Sequence, residues 1–283
     1  MSDDNGSVRA ALRVHDGVVN LAGYDPGATP WAPGKKSKTE AAAADTADDL
    51  ADLQERLYAE STAGGKRSVL LVLQGIDTAG KGGVVEHVVG AFGPAGVRVT
   101  GFKAPTDEER QHDFLWRIWK AVPTPGTIAV FDRSHYEDVL IQKVHNWVDS
   151  EEVERRYAEI NRFESQLADN GTLVIKCFLH ISYATQRERL LARLDDPSKH
   201  WKFKESDIDE RALWSEYQTA FAAMLQNCST ELAPWYVVPS DRKWYRNWAV
   251  GEILREALTE MDPQYPQADL DIDRLRARLK PPY

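Results

Sequence analysis

Short, nearly unbroken apolar runs recur along this chain at Val69–Leu73, Thr127–Phe131, Thr172–Ile181 and Trp235–Val238, each bounded by glycine, proline or polar residues. Runs of this length without a strict two-residue alternation predict strands buried on both faces of a parallel sheet. Val97–Phe102 predicts a further strand. Between them the apolar residues fall at helical spacing. Leu50, Leu53, Leu57 and Tyr58 place a surface helix over 39–61, which reaches the first strand through Gly64-Gly65. Further helices are predicted over 84–92, from Thr106 to about Ala121, over 149–170 before a Gly171 stop, from Ser182 through Arg193, over 206–228, and from Asp241 to about Met261. For the second of these, Thr106-Asp-Glu-Glu109 supplies a capping box at the start. Strands that alternate with helices in this way define an α/β chain with a parallel sheet.

The ends follow a different pattern. Residues 1–38 contain two glycine–proline clusters followed by Lys35, Lys36 and Lys38, and predict an extended arm with little core of its own. Residues 263–283 are proline-spaced and form a peripheral tail. One α/β domain over 39–262 is therefore expected. At 283 residues, with 42% hydrophobic and 28% charged residues, the chain has an ordinary globular composition. It carries no apolar run of membrane-spanning length and no signal-peptide layout, so a cytoplasmic enzyme is expected, with no membrane partner. Cys177 and Cys228 have no metal-site or disulfide spacing and read as packing residues. A net charge of −9 argues against nucleic acid as a partner.

Candidate chemistry concentrates where the first strand ends. Gly75-Ile-Asp77-Thr78-Ala79-Gly80-Lys81-Gly82-Gly83 spaces glycines and a lysine as a phosphate-cradling P-loop requires. Gly82 and Gly83 stand where a Ser or Thr ordinarily offers its hydroxyl to magnesium, which makes Asp77 the substitute oxygen ligand. The third strand ends in Asp132-Arg-Ser-His-Tyr-Glu-Asp138, placing a second carboxylate at a strand tip beside Arg133, whose guanidinium matches phosphate geometry. Glu137 and Asp138 are candidate nucleotide contacts, with ordinary helix-start residues as the alternative reading. Lys103 lies at the end of the second strand, where ligands of open sheets collect. Arg189, Arg193, Lys199 and Lys202, interrupted by a proline turn, predict a cationic lid over about 182–205. His112, Arg117 and Lys120 read as solvated charges on a helix.

With these residues in view, the chain resembles the second polyphosphate kinase family, the P-loop enzymes that move phosphate between inorganic polyphosphate and nucleotides. The resemblance rests on LQGIDTAGKGG at 73–83, GFKAPTDEERQHDFLWRIWKAVP at 101–123, FDRSHYEDVL at 131–140, HISYATQRERLLARLDDPSKHWKF at 180–203 and PWYVVPSDRKWYRNWAV at 234–250. It implies a three-layer P-loop kinase fold similar to thymidylate kinase, with a helical lid. It also implies that Asp77 and Asp132 serve magnesium, or manganese, and catalysis, and that Lys81, Arg133 and Arg193 contact polyphosphate. Ser134-His-Tyr-Glu-Asp138 resembles the branch that accepts both AMP and ADP, whereas Asp132 stands where that branch often carries Asn.

The implied reaction is phosphoryl transfer from polyphosphate to ADP, AMP or both, with adenine or other purine nucleotides as partners. Two alternatives share the P-loop: an ATP-dependent kinase for a nucleoside monophosphate or small metabolite, and a binding protein without turnover. A homodimer or homotetramer is the expected assembly, with the N-terminal arm and the Trp-rich final helix as candidate subunit contacts and a core role as the alternative for the helix.

Overall fold

The computed structural model describes residues 6–15 and 17–280. The first five residues of the expected arm and the last three of the tail lie outside it. In chain order the elements are α1 (Val8–Leu12), α2 (Lys36–Thr62), β1 (Ser68–Gln74), α3 (Lys81–His87), β2 (Val97–Gly101), α4 (Trp116–Trp119), β3 (Ile128–Asp132), α5 (Glu137–Val144), α6 (Ser150–Asp169) and β4 (Thr172–His180). There follow α7 (Tyr183–Leu194), α8 (Ser206–Ala212), α9 (Trp214–Cys228), β5 (Trp235–Pro239), α10 (Lys243–Met261) and α11 (Ile272–Leu279).

The five strands form one parallel sheet in the order β2-β3-β1-β4-β5. All seven residues of β1 are buried, as its central place demands. Helices α2, α3 and α10 pack together, with α10 against β4 and β5, while α5, α6 and α9 form a second group, with α6 on β4. The result is the expected three-layer α/β arrangement. Pairing sets Leu73 of β1 opposite Asp132 of β3. The chain leaves β1 toward β2 and leaves β3 toward β4, so the crevice beyond these two strand ends is a topological switch point. Ligands of open α/β sheets bind at such crevices.

Three helical expectations are corrected. The stretch from Thr106 to Ala121 is not one helix. The capping box does form, with the Thr106 N–H donating to Glu109 Oε2 at 2.9 Å and the Glu109 N–H to Thr106 Oγ1 at 3.2 Å. Only a 3-10 turn follows it, because His112 is extended and Asp113 accepts from the Leu115 N–H, an Asx turn that restarts the chain before α4. The helix after the P-loop ends at His87 and gives way to a 3-10 turn over Val89–Ala91. The helix expected over 206–228 breaks at Leu213 into α8 and α9.

The N-terminal segment, expected to have little core, buries Val8, Leu12, Val14, Val19 and Leu21. Leu12 and Val8 share one face of α1, which packs on α10 and β5, and the Glu256 carboxylate accepts from Ser7 Oγ and the Val8 N–H. The Trp-rich helix, α10, serves the core: Tyr245, Trp248, Ile253 and Leu254 are buried. Both cysteines are buried and free, as expected. No described helix is long and apolar enough to cross a membrane.

Candidate active site

β1 delivers the chain into a loop that only unusual backbone angles can close. Gly75 (φ 152°) and Gly80 (φ 109°) take positive φ, and so does Thr78 at 67°. Within the loop, the N–H groups of Asp77, Thr78, Gly80, Lys81 and Gly82 meet no acceptor among the described residues. They are the free donors that a phosphate cup requires. Lys81 is buried, and its Nζ donates to the Gly75 carbonyl at 2.7 Å, folding the ammonium back across the cup. Its pKa is lowered by burial and by Arg133, against the opposing pull of Asp77, Asp132 and Glu137. Three carboxylates and one guanidinium thus lie within electrostatic reach of one ammonium.

Arg133 sits at a φ of 65°, its N–H bonded to the Leu73 carbonyl at 3.2 Å, which turns its side chain toward the loop. Its Nη2 donates to Asp77 Oδ1 at 2.8 Å. Burial works against the charge on both groups, but the field of Glu137 and the Asp77 contact raise the Arg133 pKa. Lys81, Arg133 and Arg193 together hold the Asp77 carboxyl below its ordinary value. Glu137 opens α5 and accepts from Gln74 Nε2 at 3.1 Å, which ties it to the end of β1.

The lid cations divide into two groups. Arg193 Nη1 donates to the Lys202 carbonyl at 3.0 Å and lies 3.6 Å from Asp207 Oδ2, and its charge reaches Asp77. Arg189 instead spends its N–H groups on backbone: Nη1 donates to the Thr78 and Ala79 carbonyls at 2.8 and 3.1 Å, and Nη2 to those of Ser240 and Asp241 at 2.5 and 3.0 Å. Lys199 is exposed and pairs with Asp196 at 2.6 Å. Lys202 lies over the Trp201 ring at 4.9 Å, and Lys103 is exposed, with only its carbonyl fixed, by Arg117 at 2.8 Å. The structure therefore brings Asp77, Lys81, Asp132, Arg133, Glu137 and Arg193 together, sets Arg189 against the outside of the loop, and leaves Lys103 and Lys202 pointing at no P-loop group.

Sequence reasoning missed Arg246. It is 3% exposed, donates to the Ala79 carbonyl at 3.3 Å and to Asn247 Oδ1 at 3.0 and 2.8 Å, and fills the space beside Gly80 and Gly83. Its one signal was its place just beyond a strand end. Gln186 was also missed; its Nε2 donates to the Asp77 carbonyl at 3.4 Å.

The donor set suits a hard divalent cation. Among the described residues no group of three or more His, Cys, Asp and Glu gathers to form a closed metal cage. Magnesium prefers the sparser arrangement of one or two carboxylates completed by phosphate and water. Asp77 and Asp132 act on the same two cations, and the Thr78 hydroxyl is buried in the loop without a partner, a hard oxygen left unspent.

A parallel sheet with a lysine-bearing glycine loop after its central strand, and an acidic tip on the neighbouring strand, defines a P-loop kinase fold. The sequence profile of the Polyphosphate kinase 2 (PPK2) family matches residues 34–266, and the chain belongs to that family. It is 45% identical over 260 residues to an AMP/ADP-polyphosphate phosphotransferase of Meiothermus ruber, covering 92% of this chain and 96% of the relative. An ADP-polyphosphate phosphotransferase of Rhodopseudomonas palustris is 41% identical over 230 residues, covering 77% and 78% of the two chains. The crystal structure of polyphosphate kinase 2 from Arthrobacter aurescens TC1 superposes with a TM-score of 0.93 at 52% identity, over 96% of each chain.

Proposed function

We propose that this site transfers the terminal phosphoryl group of inorganic polyphosphate to ADP, AMP or both, giving ATP or ADP in the cytoplasm, where those nucleotides reside. The buried Lys81 ammonium, folded over Gly75 between Asp77, Asp132, Glu137 and Arg133, is the observation that carries this reading. The activities for which the Meiothermus ruber and Rhodopseudomonas palustris relatives are named support it.

In the proposed step an oxygen of the acceptor's terminal phosphate attacks the end phosphorus of the polymer. The bond from that phosphorus to the bridging oxygen breaks, and a chain shorter by one unit leaves. The attacking oxygen is already ionised, so no strong general base is needed, and positioning with charge neutralisation supplies the rate. The loop N–H groups and Lys81 hold the migrating phosphate. Arg133 offsets its charge, and Arg193 brings positive charge from the lid. Asp77 and Asp132 would hold magnesium or manganese, whose chemistry there is to offset the repulsion between the two phosphate anions.

Purified protein supplied with divalent ion, polyphosphate and either ADP or AMP should form ATP or ADP. Lys81→Ala should lower kcat by about 100-fold or more, the loss expected for one fixed transition-state charge. Turnover with ATP and a small acceptor, together with indifference to polyphosphate, would overturn the proposal.

A further inference from the structure

The proposed transfer leaves unused a group of buried ionisable side chains, two of them within three residues of Arg133. Glu164 of α6, Lys176 of β4, and His135 and Tyr136 between β3 and α5 are all buried. Glu164 Oε1 accepts from Tyr136 Oη at 2.7 Å and lies 3.3 Å from His135 Nε2, while Oε2 accepts from Lys176 Nζ at 2.6 Å. Burial works against the Glu164 charge, yet Lys176 and His135 hold its carboxyl below the ordinary value. Moving any member away would leave a charge or a polar group buried without its partner, so the group resists displacement of the segments it joins.

One of those segments is 133–137, and its two ends face the cup. Arg133 Nη2 reaches Asp77 Oδ1, and Glu137 takes the Gln74 amide. Between these ends the His135 and Tyr136 rings turn the other way, into the core, with their centres 5.2 Å from that of Phe163 and 4.8 Å from that of Trp235.

Arg133 stands at a φ of 65°, a left-handed conformation that a long side chain keeps only where its surroundings enforce it. Backbone bonds do part of this: the Arg133 N–H donates to the Leu73 carbonyl, the Tyr136 N–H to Ser134 Oγ at 3.2 Å, and the Glu137 N–H to the Ser134 carbonyl at 3.1 Å. Relaxing Arg133 to a negative φ would swing the residues after it and draw Tyr136 Oη away from Glu164. The buried group therefore opposes that relaxation.

We propose that Glu164 and Tyr136 are positioning residues for phosphoryl transfer: bonded to each other beneath the strand tip, they lock Arg133 in its left-handed turn and keep its guanidinium aimed at Asp77 and the cup. This assignment rests on the activity proposed above. Both residues are buried and act through Arg133, so their effect falls on the charge offset at the migrating phosphate and not on substrate affinity.

The test measures kcat and KM, with ADP or AMP as acceptor and polyphosphate as donor, in wild type, Tyr136→Phe, Glu164→Gln, Arg133→Ala and the Tyr136→Phe, Arg133→Ala double variant. Thermal melts followed by circular dichroism give the folded fraction at the assay temperature. Tyr136→Phe removes a single hydroxyl and should lower kcat about tenfold while both KM values stay within about twofold. Glu164→Gln, corrected for folded fraction, should lower kcat at least as far. In the Arg133→Ala background the same Tyr136→Phe change should alter kcat by less than about twofold, because no guanidinium is left to aim. Wild-type kcat in folded Tyr136→Phe, or an equal loss with and without Arg133, would overturn the assignment. The Tyr136→Phe comparison decides it even where Glu164→Gln does not fold. Absence of product in the wild type would instead overturn the activity itself, so the two failures are distinguishable.

Discussion

Gly80 has no room for a side chain, because Arg246 occupies the position its Cβ would take and the backbone sits at a φ of 109°. Gly80→Ala should therefore cost about 1–3 kcal/mol in backbone strain alone and disrupt the loop. Gly82, two residues on, has nothing within 4 Å of its Cβ position and lies in α3 at an ordinary φ. Gly82→Ala should instead stabilise by about 0.4–1 kcal/mol. Urea unfolding of the two variants checks the contrast. The sequence displayed both glycines but not the difference between them, because Arg246 reaches the loop only through the tertiary fold.

Asp138 illustrates a different residue-scale effect. Burial pushes its carboxyl up to about 6, even though Arg117 and Arg156 lie 3.7 and 3.8 Å away and oppose the shift. An acid whose pKa is higher folded than unfolded binds its proton more tightly in the native state. Its contribution to stability is therefore fully present below about 4 and is lost as pH rises through about 6. Relative to Asp138→Asn, wild-type unfolding free energy should gain on the order of 3 kcal/mol as pH falls from about 7 to about 4. A constant difference across that window would refute this.

At the scale of elements, β4 carries a buried lysine that joins it to three helices. Lys176 Nζ donates to Glu164 Oε2 of α6 at 2.6 Å, to Tyr136 Oη at 2.8 Å just before α5, and to the Cys228 carbonyl at the end of α9 at 2.6 Å. Tyr136 in turn donates to Glu164 Oε1 at 2.7 Å. Glu164→Gln leaves the ammonium buried without a counter-charge and should cost about 3–5 kcal/mol, measurable by denaturant titration. The strands around this network were legible because parallel strands buried on both faces advertise themselves as apolar runs. Lys176 was legible only as an interruption in one, since its partners come from distant segments. The stretch around α4 misled for a local reason: the capping box at Thr106 was real, but the turn at Asp113 outweighed the helical spacing of the tryptophans beyond it. The N-terminal segment misled because α1 offers only Val8 and Leu12 to the core, too brief a pattern to stand out among polar neighbours.

For the whole molecule, a net charge of −9 coexists with a local gathering of cations, Lys81, Arg133, Arg189, Arg193 and Arg246, at and behind the cup. Attraction of a polyanion then depends on proximity rather than on total charge, and salt screens such attraction once the Debye length falls below the size of the site. KM for long polyphosphate should rise steeply between about 50 mM and about 1 M salt, over which the Debye length shrinks from beyond 10 Å to about 3 Å. KM for ADP should rise less. Matching rises for both substrates, in rates measured across that range, would contradict the localised arrangement.

The strand order carries one further consequence, for synthesis on the ribosome. β1 appears early, yet its neighbours β3 and β4 are translated later, and among the described residues it pairs only in parallel with them. Arg246, which closes the outer rim of the loop, emerges last of all these parts. The loop with Arg246 packed behind it is therefore complete only after nearly the whole described chain has been made.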